Sequence, residues 1–234
     1  MESIPSKSFE QLLKQAHTGT APSKQLKTLA GKYMVLGDLD LRNLDWLREI
    51  PKVAVQSAAC LSYSKGLTVA HINAGSAIYA TSSGLRGFAP GSSSGSDSLG
   101  VGLDIEFCEH FGELLFTTSG GVDASWSGIT GVSAKSSTGV TVIGMALKAS
   151  GCKNLRNLNV AFPGAVDISG TKDVVLGDNF SALPDQSGVC LYLSAIPENI
   201  PSAMGSAVVR VGKRNIVLQN ELASTEHASG LDIF

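Results

Sequence analysis

The chain has 234 residues, of which 43% are apolar and 16% charged, with a formal net charge of −2. That is enough apolar material to bury a full core, which excludes intrinsic disorder, and without a basic surplus the chain lacks the electrostatic footprint of a nucleic-acid binder. Charge well below the ~25% of an ordinary domain, together with 26 glycines, suits a molecule built of stacked side-chain ladders and tight turns.

The start of the chain, MESIPSKSFEQLLKQ, has no apolar stretch of the kind that marks a signal peptide, and no run of ~18 apolar residues predicts a membrane span. The four cysteines, Cys60, Cys108, Cys152 and Cys190, are widely separated and form no C-x-x-C. They are therefore read as free, buried thiols rather than as a zinc or redox site. These features together predict a soluble, cytoplasmic protein.

In chain order, residues 1–32 read as a helical N-terminal cap. Ser8 and Gln11 form the S-x-x-Q pattern of a capping box, and Phe9, Leu12, Leu13 and Ala16 give one apolar face. Gly19 closes that helix, Pro22-Ser23 opens a shorter one, and Gly31 suits its C′ position. From residue 33 the texture changes to short β-rich runs broken by Gly, Asn, Ser, Asp and Lys. The stretch 140–180 shows this most clearly, with VTVIGMALKA, LRNLNVAF, AVDIS and DVVLGDNF in succession. Runs this short and this regularly punctuated predict a chain that turns a corner every few residues.

Aligning on an apolar–Asp–apolar pattern places GDLDL (Asp40), GLDIEF (Asp104), GVDASW (Asp123) and AVDIS (Asp167) in one column, at separations of 64, 19 and 44 residues. A unit of about 21 residues accounts for these spacings, and AACLSY, AIYATS, VIGMAL, VCLYLS and VVRVGK fall near the intervening positions. The prediction is an all-β fold: a right-handed parallel β-helix of about nine coils over 33–220, with an all-β sandwich as the rival. Residues 84–98, rich in Gly and Ser, are expected to be an extruded loop, and 221–234 a C-terminal tail or cap.

The segment KYMVLGDLDLRNLDWLREIPK, through Gly37, Asp38, Leu39, Asp40, Leu41, Leu44, Leu47 and Pro51, resembles the short GDLDL-type repeats of bacterial and phage solenoid proteins. GCKNLRNLNVAFPGAVDISGTKDVVLGDN is similar to right-handed parallel β-helices of the pectate-lyase-like and tailspike kinds. The resemblance implies a solenoid. Its functional implications are an intracellular protein-binding role, immunity-like or blocking a host factor, or else a polysaccharide-active enzyme of pectate-lyase type or a trimeric tail fibre.

In a stacked β-fold, equivalent residues of neighbouring turns lie ~4.8 Å apart, and apolar neighbours that point inward force the aligned aspartates outward. Asp40, Asp104, Asp123 and Asp167, joined by Glu106, are thus expected to form an acidic stripe, with Trp126 at the adjoining corner. The stripe would receive another protein's basic surface, and homo-oligomers are compatible with it. No cofactor is called for; Ca²⁺ is the ion that such carboxylates would attract. For lyase chemistry the nearest base would be Lys148 or Arg210, and Lys148 is expected to fall past the stripe. No catalytic residue is assigned: the four histidines show no metal-binding spacing, and the serines of 91–96 lack a nucleophile-elbow context.

Overall fold

The computed structural model describes residues 1–88, 91–197 and 200–218. Among the described residues the protein is largely β, with two α-helices, Ser6–Thr18 and Pro22–Leu29, and strands gathered into sheets of ten, seven, four and two. Among the described residues every strand pairing is parallel except the hairpin of Val208–Val211 with Arg214–Val217. Such pairing is foreign to a sandwich of antiparallel sheets. No helix among the described residues is long and apolar enough to cross a membrane.

Parallel neighbours cannot be joined by a tight turn, so between successive strands from Leu39–Asp40 to Leu191–Leu193 the chain leaves the ten-stranded sheet, passes through another sheet and returns. The registers place Asp40, Cys60, Tyr79, Asp104, Asp123, Lys148, Asp167, Tyr192 and Arg210 in one continuous row. The preceding residue in each strand (Leu39, Ala59, Ile78, Leu103, Val122, Leu147, Val166, Leu191, Val209) is buried, with at most 2% of its surface exposed. Alternation along the strand therefore sends one ladder into the core and leaves the other on the outer face.

The returns are not equally spaced. From Tyr79 to Tyr192 they alternate between 25 and 19 residues, with a last step of 18 to Arg210, and only a pair of returns has a constant length, 44 residues from Asp104 to Lys148 to Tyr192. The uniform spacing of about 21 is corrected accordingly. The longer returns carry an extra finger: 97–101, 141–145 and 185–189. In each, the first residue's N–H donates to the carbonyl of the last (Asp97 to Val101 2.9 Å, Thr141 to Met145 2.8 Å, Asp185 to Val189 2.9 Å). The fourth residue is a glycine at φ +81°, +89° and +80°, a conformation only glycine adopts freely.

Three further expectations are revised. Residues 84–98 are not an extruded loop: Gly87–Phe88 and Gly91–Ser93 are strands of the seven-stranded sheet, with Leu85, Phe88 and Ser93 buried. Serines suit this interior because their hydroxyls are satisfied, Ser93 donating to Thr118 at 2.7 Å and Ser92 to Asn73 at 3.0 Å. Residues 1–32 are not wholly helical, since Glu2–Pro5 pairs in parallel with Tyr33–Leu36. The first helix also starts at Ser6, with no side-chain cap, so Ser8 lies inside it and forms no capping box.

Ser6 has another use: its Oγ accepts the Asp40 N–H at 3.2 Å, covering the edge strand Leu39–Asp40. His17 docks the same helix. Its Nε2 accepts the N–H groups of Arg48 and Glu49, both at 3.3 Å, which leaves the proton on Nδ1 to donate to Leu13 O at 2.8 Å. At the other end Arg214–Val217 is the return strand of a hairpin with Val208–Val211. Gly212 at φ +60° makes the reversal. The expected tail 221–234 lies outside the described residues.

Candidate functional site

The outer row of the ten-stranded sheet brings Asp104 and Asp123 into direct register, as neighbours across one strand pair. Asp167 is two strands further on and Asp40 three strands back. The row is not uniformly acidic. Lys148 sits between Asp123 and Asp167, and Arg210 lies at the far end. Lys148 was expected past the stripe; it is in it, because the return that carries it is one of the 25-residue ones.

Each aspartate also shapes its own corner. An Oδ1 atom accepts the N–H two residues on: Asp40 from Arg42 (3.2 Å), Asp104 from Glu106 (3.0 Å), Asp123 from Ser125 (3.1 Å) and Asp167 from Ser169 (2.9 Å). This is the Asx turn, a local reason for aspartate at a strand end. It explains the sequence pattern without any ligand. The corner continues into a left-handed residue, Phe107 at φ +56° and Trp126 at +57°, where the equivalent turns later in the chain use Gly151 and Gly170. Phe107 N–H donates to Ser125 O at 3.1 Å and Trp126 N–H to Ser150 O at 2.9 Å, so the corners stack as the strands do. Trp126 is 55% exposed, and its ring lies where a side chain at Gly151 would stand.

Asp104, Glu106, Asp123 and Asp167 are half-buried, whereas Asp40 is exposed and paired with Arg42 at 2.6 Å. Lys148 Nζ contacts Asp123 at 2.8 Å and Glu106 at 3.8 Å. This ammonium supplies the positive charge that a divalent ion would otherwise bring. Among the described residues no three His, Cys, Asp or Glu side chains group as a metal centre. Burial pulls Lys148 down, but its bond to Asp123 and the charges of Asp123, Glu106 and Asp167 outweigh this and hold its pKa above the ordinary lysine value. That opposes the role of general base, which needs a lysine lowered toward neutrality.

Burial pushes the Asp104 carboxyl up, against the hydrogen bonds from Glu106 N–H and from Thr81 Oγ1 (2.9 Å). Glu106 is raised by burial and then by the charges of Asp123 and Asp104. A carboxyl raised in the folded state contributes stability below its unfolded pKa, near 3.8 for Asp104 and 4.5 for Glu106, that is lost as pH rises through the folded value. Asp104→Asn should therefore be at least as stable as the parent at neutral pH. Its advantage in urea denaturation should grow from pH 4 to 7 as the parent's Asp104 ionises, while the amide keeps an acceptor for Glu106 N–H. A lower stability at pH 7 than the parent's would contradict this account.

Sequence reasoning missed the fingers beside this row. Their signal is D-S-L-G-V, T-V-I-G-M and D-Q-S-G-V at intervals of 44 residues. Tyr79 OH donates to Asp97 at 3.2 Å, tying the first finger to the row; burial and the Asp97 charge push this phenol up to about 12. Tyr192 holds Asp185 in the same way. The fingers also bond to each other: Val142 N–H donates to Leu99 O at 2.9 Å and Gln186 N–H to Ile143 O at 3.1 Å. Leu99, Val142 and Ile143, at 63%, 56% and 55% exposure, thus stand fixed on the surface. With Val101, Val122 and Met145 they line a groove of about 190 Å³ that ends at Asp123 and Lys148. A larger cavity of about 570 Å³, between Ile168, Val174, Leu193 and Ile196, has Lys172 and Asp173 as its charged lining.

No family model matches the chain, and neither a curated protein nor a solved structure matches it.

Proposed function

We propose that the chain is a right-handed β-solenoid whose ten-stranded face, with the fingers beside it, binds another protein. Parallel returns to one sheet support the solenoid, and right-handedness follows from the crossover rule for parallel strands. The observation that carries the binding reading is the cluster of Leu99, Val142 and Ile143. Its three aliphatic side chains are exposed together on loops whose backbones are bonded to one another. Scattered surface leucines need no explanation, but contiguous exposed apolar surface marks an interaction site. Rigid support also lowers the ordering cost of association.

The test is affinity capture from a lysate of the source organism, with the wild-type chain and a Val142→Ser/Ile143→Ser variant as baits. A stoichiometric protein partner, identified by mass spectrometry and lost with the variant, is the expected result. A partner held equally by both baits would refute this face as the site. Loss of two aliphatic contacts at the centre of an interface should weaken binding by about 2 kcal/mol or more.

A further inference from the structure

Resting on that reading, we propose that the face is built for an extended, basic segment of the partner, with an aliphatic side chain seated in the groove between the fingers and a Lys or Arg cation among the carboxylates of the row. The size of the groove argues first. At about 190 Å³ it is below the ~300 Å³ lower end of small-molecule sites, yet open and walled by Leu99, Val142 and Met145. It takes side chains of a polymer laid across it rather than a compact ligand.

Charge decides which polymer. Around the single ammonium of Lys148 stand Asp123 at 2.8 Å, Glu106 at 3.8 Å and the register neighbour Asp167, with Asp104 one strand beyond Asp123. Four carboxylates face one cation. The other hydrogen bonds to Asp104, Asp123 and Asp167 come from uncharged groups: Thr81 and the Glu106 N–H on Asp104, Ser125 on Asp123, and Ser169 on Asp167. The surplus repels phosphate backbones and anionic lipid, and it attracts a cation. The adjoining corner offers Phe107 and Trp126, one register step apart and exposed, in left-handed conformations that glycine fills in the turns of Gly151 and Gly170. Aromatic faces beside carboxylates suit a guanidinium or ammonium.

In an extended segment, residues i and i+2 share a face, so the groove and the row would read alternate side chains. The probe is the peptide acetyl-KTVTKTVTK-amide, with Lys and Val on one face and Thr on the other. Its binding to the full chain is measured by titration calorimetry against acetyl-KTSTKTSTK-amide and acetyl-ETVTETVTE-amide. The expected result is affinity for the Lys/Val peptide about tenfold above either control. It should fall about fivefold in Asp104→Asn/Glu106→Gln and in Val142→Ser/Ile143→Ser chains that keep the parent far-ultraviolet spectrum.

Equal binding of the Lys/Ser peptide would reduce the effect to diffuse charge and overturn the proposal. So would equal binding of the acidic peptide, no binding of the Lys/Val peptide, or binding unaltered in both variants. Failure here with a captured partner still lost in the Val142→Ser/Ile143→Ser bait rejects the basic occupant and leaves the binding face standing. Failure of both rejects the face itself.

Discussion

Val166→Asp should yield no folded protein. Val166 has none of its surface exposed and lies in the strand Ala165–Asp167, between Leu147 on one neighbour and Leu191 on the other. An aspartate there would point its carboxylate into a column of aliphatic side chains with no donor in reach. An unpaired buried charge costs several kcal/mol even after relaxation. A domain's whole stability is only about 5–15 kcal/mol. The neighbouring substitution Asp167→Asn is the control. It lies one residue away on the outer face and keeps an acceptor for Ser169 N–H, so it should change stability by less than about 1 kcal/mol. Soluble yield and circular dichroism read the difference. A folded Val166→Asp chain with a near-parental urea midpoint would overturn the inward assignment of this ladder.

Gly128→Ala should cost about 3 kcal/mol, at the upper end of overpacking substitutions. A methyl group there would stand 2.1 Å from Glu109 O, 2.7 Å from Glu109 C and 3.0 Å from Phe111 O, all backbone atoms of the preceding turn. Backbone held in stacked hydrogen bonds cannot step aside as a side-chain tip does. Gly84, 44 residues earlier, has the same neighbour at the same 2.1 Å, here Lys65 O. The corner thus requires glycine wherever this close approach recurs. Equilibrium urea denaturation measures the loss. A change below about 0.5 kcal/mol, the range of an ordinary surface substitution, would show that the turns are not stacked as tightly as described.

The outer row was legible in the sequence because its residue choice has a local cause. Asp40, Asp104, Asp123 and Asp167 each close an Asx turn at a strand end, so the same residue type recurs at the same structural position and aligns by eye. Lys148 was misplaced because no such rule fixes it, and because a constant period hides an alternation of long and short returns. Residues 84–98 misled for the opposite reason. Serine and glycine there signal a loop by composition, whereas hydroxyl pairs such as Ser93 with Thr118 let them line a sheet. The groove left no mark in hydrophobic patterning, since Leu99, Val142 and Ile143 are apolar residues on the wrong side of the surface. Only the recurrence of the finger motif at 44 residues points to them.

The bonds between fingers have a consequence for how the molecule comes apart. Val142 N–H reaches Leu99 O, and Gln186 N–H reaches Ile143 O, across a shorter return that lies between each pair. A stack in which every layer touches only its neighbours unzips layer by layer from its ends. Here each long return is also riveted to the next long one, so the short return between them is clasped from both sides. Opening it means breaking a clasp as well as two layer contacts, which joins the central layers into one cooperative block and leaves fraying to the termini.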